Sequence, residues 1–275
     1  MKLRKALDKA NKERLEGFDE PGEESPVRER DAGERPPSTG EIFSTGWQSP
    51  VYSESISVRL DPNKLRRNRC VCISPDAPQL DAYKVLRTRI RHYAREKGMN
   101  TIMITSVRPG EGKTVTSINL ALTFAREYQQ TVLLVDCDLK KQDIRNYLGF
   151  ASDRGLIDYL EDNRPLKDCI IWPGVEKLTV ISGGRTVSDS TELLGSPKMQ
   201  DLLAEMKGRY DDRYVLLDVP AVLDGADAMV FAPLVDCIIM VVEKGVTSLN
   251  DVKKAVELLP KEKFLGFVFN GRSRE

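Results

Sequence analysis

The sequence predicts an α/β protein whose parallel sheet is covered by helices on both faces. Three observations carry that prediction. Strand-like apolar runs recur along the chain: TIMITS (101–106), TVLLVD (131–136), LTVISG (178–183), YVLLDV (214–219), CIIMVV (237–242) and FLGFVFN (264–270). Helical patterns fill most of the gaps, among them TSINLALTFAREY, SPKMQDLLAEMK and SLNDVKKAVELL. The runs are continuous in their apolar character, as strands buried on both faces are. A chain of 275 residues accommodates one such domain and an appendage.

The appendage is expected at the start. Residues 1 to about 50 are poor in large apolar side chains and rich in Glu, Arg, Pro, Gly and Ser, as in PGEESPVRERDAGERPPSTG. Such a composition buries too little surface to offset the entropy of ordering. Residues 1–70 are therefore expected to form a mostly disordered arm, and 71–275 the folded domain. The first eighteen residues are an exception, because Leu3, Leu7 and Ala10, continued by Leu15 and Phe18, recur at near-helical spacing. That short amphipathic helix could dock on a partner or a membrane surface, or stay solvated on its tether. A second amphipathic helix is expected over 79–97, with Ala82, Leu86, Ile90 and Tyr93 on one stripe.

Bulk charge and cysteine usage narrow the function classes. Lys plus Arg number 42 and Asp plus Glu 42, so no global attraction to nucleic acid exists. The longest apolar stretch, PLVDCIIMVV, contains Asp236 and is too short to span a bilayer. No charged segment followed by an apolar one marks a secretory signal at the start. Five cysteines without a framework spacing read as reduced thiols of a cytosolic protein, and Cys70 and Cys72 as two residues entering a strand. The single histidine, His92, lies in the basic helical stretch RTRIRHYAREK and reads as a surface residue.

The chemistry is expected where TIMITS hands over to a helix through Pro109-Gly110-Glu111-Gly112-Lys113-Thr114. Glycines let backbone N–H groups turn inward around an anion, and the helix that follows aims its positive end at the same point. Lys113 can then reach the β- and γ-phosphates, and the Thr114 hydroxyl can coordinate Mg²⁺. A plain glycine turn explains the glycines but not the Lys-Thr pair. The usual pattern starts with Gly or Ala five residues before Gly112, where this chain has Val107.

A nucleotide site also needs carboxylates at neighbouring strand ends. VLLVDCDLKK ends one strand with Asp136 and Asp138, whose i, i+2 spacing points them to one side if the strand continues. YVLLDVP ends another with Asp218. Asp136 or Asp138 is expected to orient or deprotonate the attacking hydroxyl or water. Asp218 is expected to hold Mg²⁺ through water, with Thr114 and Asp138 as further metal candidates.

The loop, the D-x-D strand end and YVLLDVPAVLDGADAMVFAPLVDCIIMVVEKGVTSLNDV together resemble the bacterial tyrosine kinases of exopolysaccharide and capsule export, relatives of the partitioning and septum-positioning ATPases. The resemblance runs from about Pro75 to Glu275. It implies a doubly wound, mainly parallel P-loop NTPase fold with ATP and Mg²⁺ at the carboxyl edge of the sheet. It also implies transfer of phosphate from ATP to protein tyrosine in polysaccharide chain-length control. Gly110, Glu111, Gly112, Lys113 and Thr114 map onto the nucleotide loop, Asp136 and Asp138 onto the second acidic motif, Asp218 onto the third, and Asn270 onto the position that holds adenine. A turn asparagine is the ordinary alternative for the last. The family's E-x-x-R-x-x-R ring-assembly motif is matched by Asp81, Lys84 and Arg87, implying a homo-oligomer. A membrane-anchored co-polymerase is the implied activator, and the inner face of the cell membrane the implied place of work, without nucleic acid.

Departures keep other readings open. Lys140 stands where the family commonly has Arg, which keeps the charge but loses the fork. No tyrosine follows Tyr214, so the family's C-terminal tyrosine cluster has no counterpart here, and Tyr52 is the accessible substitute. A nucleotide-switch ATPase that regulates a partner without phosphorylating protein is the second reading. Its signature lysine would fall at Arg108. An iron–sulfur scaffold ATPase would need a C-x-x-C pair, and Cys137, Cys169 and Cys237 stand alone.

Overall fold

In the computed structural model, residues 55–208 and 212–271 are described. The amphipathic helix expected over 1–18, most of the N-terminal arm and Tyr52 lie outside them. In chain order the elements are β1 (Ile56–Ser57), α1 (Pro62–Arg67), α2 (Leu80–Lys97), β2 (Thr101–Ser106), α3 (Lys113–Phe124), β3 (Thr131–Asp136), α4 (Asp143–Leu148) and α5 (Leu156–Leu160). They continue with β4 (Ile170–Trp172), β5 (Leu178–Ile181), α6 (Ser190–Leu194), α7 (Pro197–Gly208), β6 (Arg213–Asp218), α8 (Asp227–Phe231), β7 (Cys237–Glu243), α9 (Leu249–Glu257) and β8 (Phe264–Asn270).

The strands form one sheet in the order β1-β4-β5-β3-β6-β2-β7-β8. Every pairing is parallel except β4 with β5. Alternation along each central strand builds two cores. Ile102, Ile104, Val132, Leu134 and Leu216 face α1 to α4, whereas Met103, Leu133, Val135, Val215 and Leu217 face the other layer. The six expected strands are all present. Neither β1 nor short β4 was expected from the sequence, because Ile56–Ser57 and Ile170–Trp172 are too short to read as strands and pair with each other from far apart in the chain.

The strand order places β2 between β6 and β7, and β6 between β3 and β2. The carboxyl ends of β2, β3 and β6 therefore lie side by side, with Asp136 directly opposite Asp218 in the ladder. That edge is where a doubly wound sheet leaves its crevice.

The amphipathic helix expected over 79–97 is α2, but its buried stripe differs from the one read in the sequence. Leu80, Ile90 and Ala94 are buried, Tyr83 and Leu86 pack partly against the core, and Ala82 is exposed. His92 is exposed as expected. The arm boundary placed at residue 70 also moves toward the N-terminus among the described residues. Asp61 caps α1 by accepting from the Asn63 N–H at 2.8 Å, and Leu65 and Cys70 are fully buried in the core. One apolar side chain in a charged hexapeptide is a weak signal, yet it anchors the helix. Leu65→Ala is expected to cost about 2–5 kcal/mol of stability in denaturant unfolding. A silent substitution would mean that α1 is no part of the fold.

Candidate functional site

Loop geometry at the end of β2 follows from two glycines. Gly110 and Gly112 have φ of +90° and +92°, a region that other residues enter only with strain. Gly112 is also the N-cap of α3 and brings no capping side chain, so the first N–H groups of the helix face the cleft unsatisfied. Val107 does not disturb this arrangement. Its side chain is fully buried in the core, and its carbonyl accepts from Leu223 N–H at 3.1 Å.

Glu111 and Asn270 brace the loop. The Glu111 carboxylate accepts from Val107 N–H at 2.8 Å, from Arg108 N–H at 3.0 Å and from the Thr247 hydroxyl. Its side chain is thus turned away from the phosphate position expected of it, and only its backbone belongs to the cradle. Asn270 Nδ2 donates to Glu111 O at 2.8 Å. Asn270 ends β8 as a strand residue rather than a turn, which ties the last strand to the loop. A Cβ on Gly112 would lie 2.0 Å from Asn270 Nδ2. Gly112→Ala is accordingly expected to cost about 1–2 kcal/mol in backbone strain alone. It should also displace Asn270, and a lowered Tm together with weakened ADP affinity checks both effects.

Lys113, Thr114, Asp138 and Asp218 converge as the sequence suggested. Lys113 Nζ lies 2.7 Å from Asp138 Oδ2 and 3.6 Å from Asp218 Oδ2. Thr114 Oγ1 donates to Asp218 Oδ2 at 2.7 Å. Ser117, one turn along α3, lies 3.0 Å from Asp218 Oδ1 and 2.9 Å from Lys113 O, donating to one or the other. Sequence reasoning missed Ser117. The i, i+3 spacing of Thr114 and Ser117 on a helix that faces a strand end is the signal that could have found it.

Asp136 sits differently from Asp138. β3 ends at Asp136, so the alternation of a continuing strand does not place the two side chains together. Asp136 is fully buried and accepts from Ile144 N–H at 3.0 Å and Asp138 N–H at 3.2 Å. It shapes the turn that aims Asp138 at Lys113. Asp138 is the carboxylate nearer the cleft, and its other oxygen accepts from Lys141 N–H at 3.1 Å.

Electrostatics follow from three buried carboxylates around one ammonium. Burial alone would lower the Lys113 pKa, but Asp218 and then Asp138 outweigh it and hold the ammonium charged. Burial pushes Asp136 well above the usual carboxylate range, and neighbouring Asp218 adds to the rise. Burial raises Asp218 as well, against the opposing pull of Lys113 and the Thr114 hydroxyl. The crowded carboxylates relieve their repulsion by holding protons, and a divalent cation could take that place.

The cleft above these groups has a volume of about 290 Å³ and is lined by Gly110, Lys113, Thr114, Asp138, Lys140 and Tyr147, among others. Its donor set fits a nucleotide with Mg²⁺. Inward backbone N–H groups and a lysine suit phosphates, and a threonine hydroxyl beside a carboxylate suits a hard cation that keeps most of its waters.

The three residues matched to a ring-assembly motif lie on α2, away from the cleft. Asp81 and Lys84 pair with each other at 2.9 Å on the surface. Arg87 is turned inward, bound to Glu127 and donating to Thr123 O at 2.7 Å. Arg91 joins it on Glu127 at 2.7 Å. Arg87 thus holds α2 on α3 within one chain, a use that its sequence spacing did not reveal.

Residues 99–262 match the family model described as an AAA domain. Tyrosine-protein kinase YwqD of Bacillus subtilis (strain 168) is 31% identical over 212 residues, covering 76% of this chain and 88% of the kinase. The chain belongs to the bacterial tyrosine kinase family. Among solved structures, the kinase domain of Escherichia coli tyrosine kinase ETK superposes on this family member with a TM-score of 0.70 at 26% identity, covering 81% of this chain and 90% of that one. The septum site-determining protein MinD of Pyrococcus horikoshii OT3, solved with Mg-ADP, superposes at 0.54 with 29% identity, covering 64% and 72%. Some family members are much longer, and the chain spans only 26% of EpsB from Ralstonia solanacearum.

Proposed function

We propose that this chain transfers the γ-phosphoryl group of ATP to a protein tyrosine, in the service of exopolysaccharide or capsule chain-length control. The observation that carries this reading is the largely buried Lys113, held between Asp138 and Asp218 at the start of the helix after β2. On nucleotide binding, Lys113 exchanges its carboxylate partners for phosphate oxygens. The N–H groups of Gly110 to Thr114 close around the phosphates. Asn270, with Nδ2 committed to Glu111 O, leaves its Oδ1 as acceptor for the adenine amino group. Thr114, with Asp218 through water, would hold Mg²⁺. Bound there, the metal neutralises charge on the β- and γ-oxygens.

Asp138 takes the proton of the attacking hydroxyl. The bond from the γ-phosphorus to the β–γ bridging oxygen breaks as the bond to the tyrosine oxygen forms, and ADP leaves. Asp136 positions Asp138 and does not itself meet the substrate. The activator is proposed to be a separate membrane-anchored co-polymerase, with the chain recruited to the inner face of the membrane and assembling as a homo-oligomer. Among the described residues no helix is long and apolar enough to cross a membrane.

Incubation with γ-labelled ATP and Mg²⁺, with and without the cytoplasmic segment of a membrane-anchored co-polymerase, tests the reading. Label on tyrosine is expected. Labelled free phosphate with no labelled protein would overturn the kinase step and leave a nucleotide-switch ATPase.

A further inference from the structure

A second ion pair joins the loops that carry Asp138 and Asp218, outside the phosphate cradle. Lys140 follows Asp138 by two residues, and its Nζ lies 3.1 Å from Asp227 Oδ2. Asp227 is the first residue of α8, nine positions beyond Asp218. The two ends of this pair differ sharply in exposure: the Asp227 side chain is 2% exposed and that of Lys140 45%. Asp227 is also fixed from behind. Ser190 Oγ donates to its Oδ2 at 2.8 Å, and Thr191 Oγ1 donates to its Oδ1. Both hydroxyls come from the first turn of α6, and Ser190 is itself fully buried.

An ordinary surface ion pair contributes little and needs no such support. Here two hydroxyls of a separate helix converge on a buried carboxylate, and the cation it holds stands at the rim of the phosphate cleft, among the residues that line it. Lysine is a point charge on a long flexible stem, so an unanchored Lys140 would scatter its charge over many rotamers. A cation fixed before reaction pays no reorganisation when charge develops on the transferring group.

Resting on the phosphotransfer reading above, we propose that Asp227 is a positioning residue that, backed by Ser190 and Thr191, holds Lys140 at the mouth of the cleft to stabilise the phosphoryl group in transit. Charge in that transition state spreads over the three equatorial oxygens of the moving group. Lys113 reaches these oxygens from the start of α3, and Lys140 reaches them from the D-x-D loop. Neither Lys140 nor Asp227 gains or loses a proton in the step.

The test combines steady-state ATP turnover with calorimetric binding of ADP·Mg²⁺, with and without aluminium fluoride as a mimic of the phosphoryl group. Lys140→Ala is expected to lower kcat by on the order of 10²-fold while the KM for ATP stays within about threefold. It should bind ADP like the wild type yet lose the extra affinity that aluminium fluoride confers. Lys140→Arg should recover most of both. Asp227→Asn should lower kcat by about tenfold, and Lys140→Ala/Asp227→Asn should be no slower than Lys140→Ala alone. Because Asp227 is buried, Thr191→Val serves as a gentler variant with the same direction of effect and a smaller fall in Tm than Asp227→Asn.

Wild-type kcat and aluminium fluoride affinity in Asp227→Asn, or a double variant falling to the product of the two single losses, would overturn the proposal. A wild-type chain that neither binds nucleotide nor turns over ATP would overturn the phosphotransfer reading together with it, and is plainly distinguishable from a normal wild type with an indifferent Asp227.

Discussion

Lys113→Met is expected to abolish turnover and to destabilise the protein at the same time. Loss of the ammonium proposed to bind the phosphates should lower kcat by at least about 10²–10³-fold. The stability effect has a separate cause. The Lys113 side chain is only 12% exposed and lies among Asp136, Asp138 and Asp218, so its removal leaves buried carboxylates without a counter-charge. Breaking a buried pair from one side typically costs about 3–5 kcal/mol. Urea unfolding of the variant measures this cost directly. Adding Asp138→Asn should return much of the stability and none of the activity. If Lys113→Met unfolds like the wild type, the ammonium is not the charge that holds the carboxylates, and if it retains full turnover, the site assignment is wrong.

The second large effect has the opposite sign for stability. Asp218→Asn should lose at least about 10²-fold in turnover, because the Mg²⁺ proposed beside Thr114 would lose its anionic neighbour. Its fold should nevertheless survive. The new amide can donate to Ser117 Oγ while Ser117 donates to Lys113 O, and the remaining oxygen accepts from Thr114 as before. Removal of the charge also relieves Asp136, whose pKa is pushed up by burial and then by Asp218.

A raised carboxylate pKa means that the folded state keeps a proton that the unfolded state releases. Stability is therefore lost as pH rises from the ordinary carboxylate value of about 4 toward the raised folded value. Asp218→Asn removes one of two such groups and weakens the push on the other. Its stability relative to the wild type should grow with pH across that window, on the order of 1 kcal/mol per pKa unit relieved. Thermal unfolding at about pH 5 and about pH 8 checks the sign. A variant equally destabilised at both pH values would show that the Asp136–Asp218 crowding is not what governs the site.

Much of the fold is legible in the amino-acid sequence. Strand runs such as TVLLVD and FLGFVFN match β3 and β8 residue for residue, since a continuous apolar run next to a helical period leaves few other local solutions. The Gly110–Thr114 loop is equally legible, because glycines at positive φ followed by Lys-Thr have a local chemical meaning. What stays hidden needs a partner distant in sequence. β4 pairs with β1, which lies far upstream in the chain, and α1 holds through the burial of Leu65. Arg87 matches a motif in spacing, yet Glu127 and Thr123 decide where it points.

The division within the site follows the same physics. Local sequence determined that a phosphate cradle forms at residues 110–114 and that acidic residues end the strands following it, because turn geometry, helix dipoles and strand termination are short-range properties. Only the tertiary structure decided which carboxylate does what. Asp136 and Asp138 are two residues apart and chemically identical, but the former is consumed by Ile144 and Asp138 backbone groups while the latter meets Lys113. Glu111 likewise turns from the cradle to Val107, Arg108 and Thr247. The role of a polar side chain is set by the donors that desolvation forces upon it, and those arrive from strands and loops that only the folded sheet brings together.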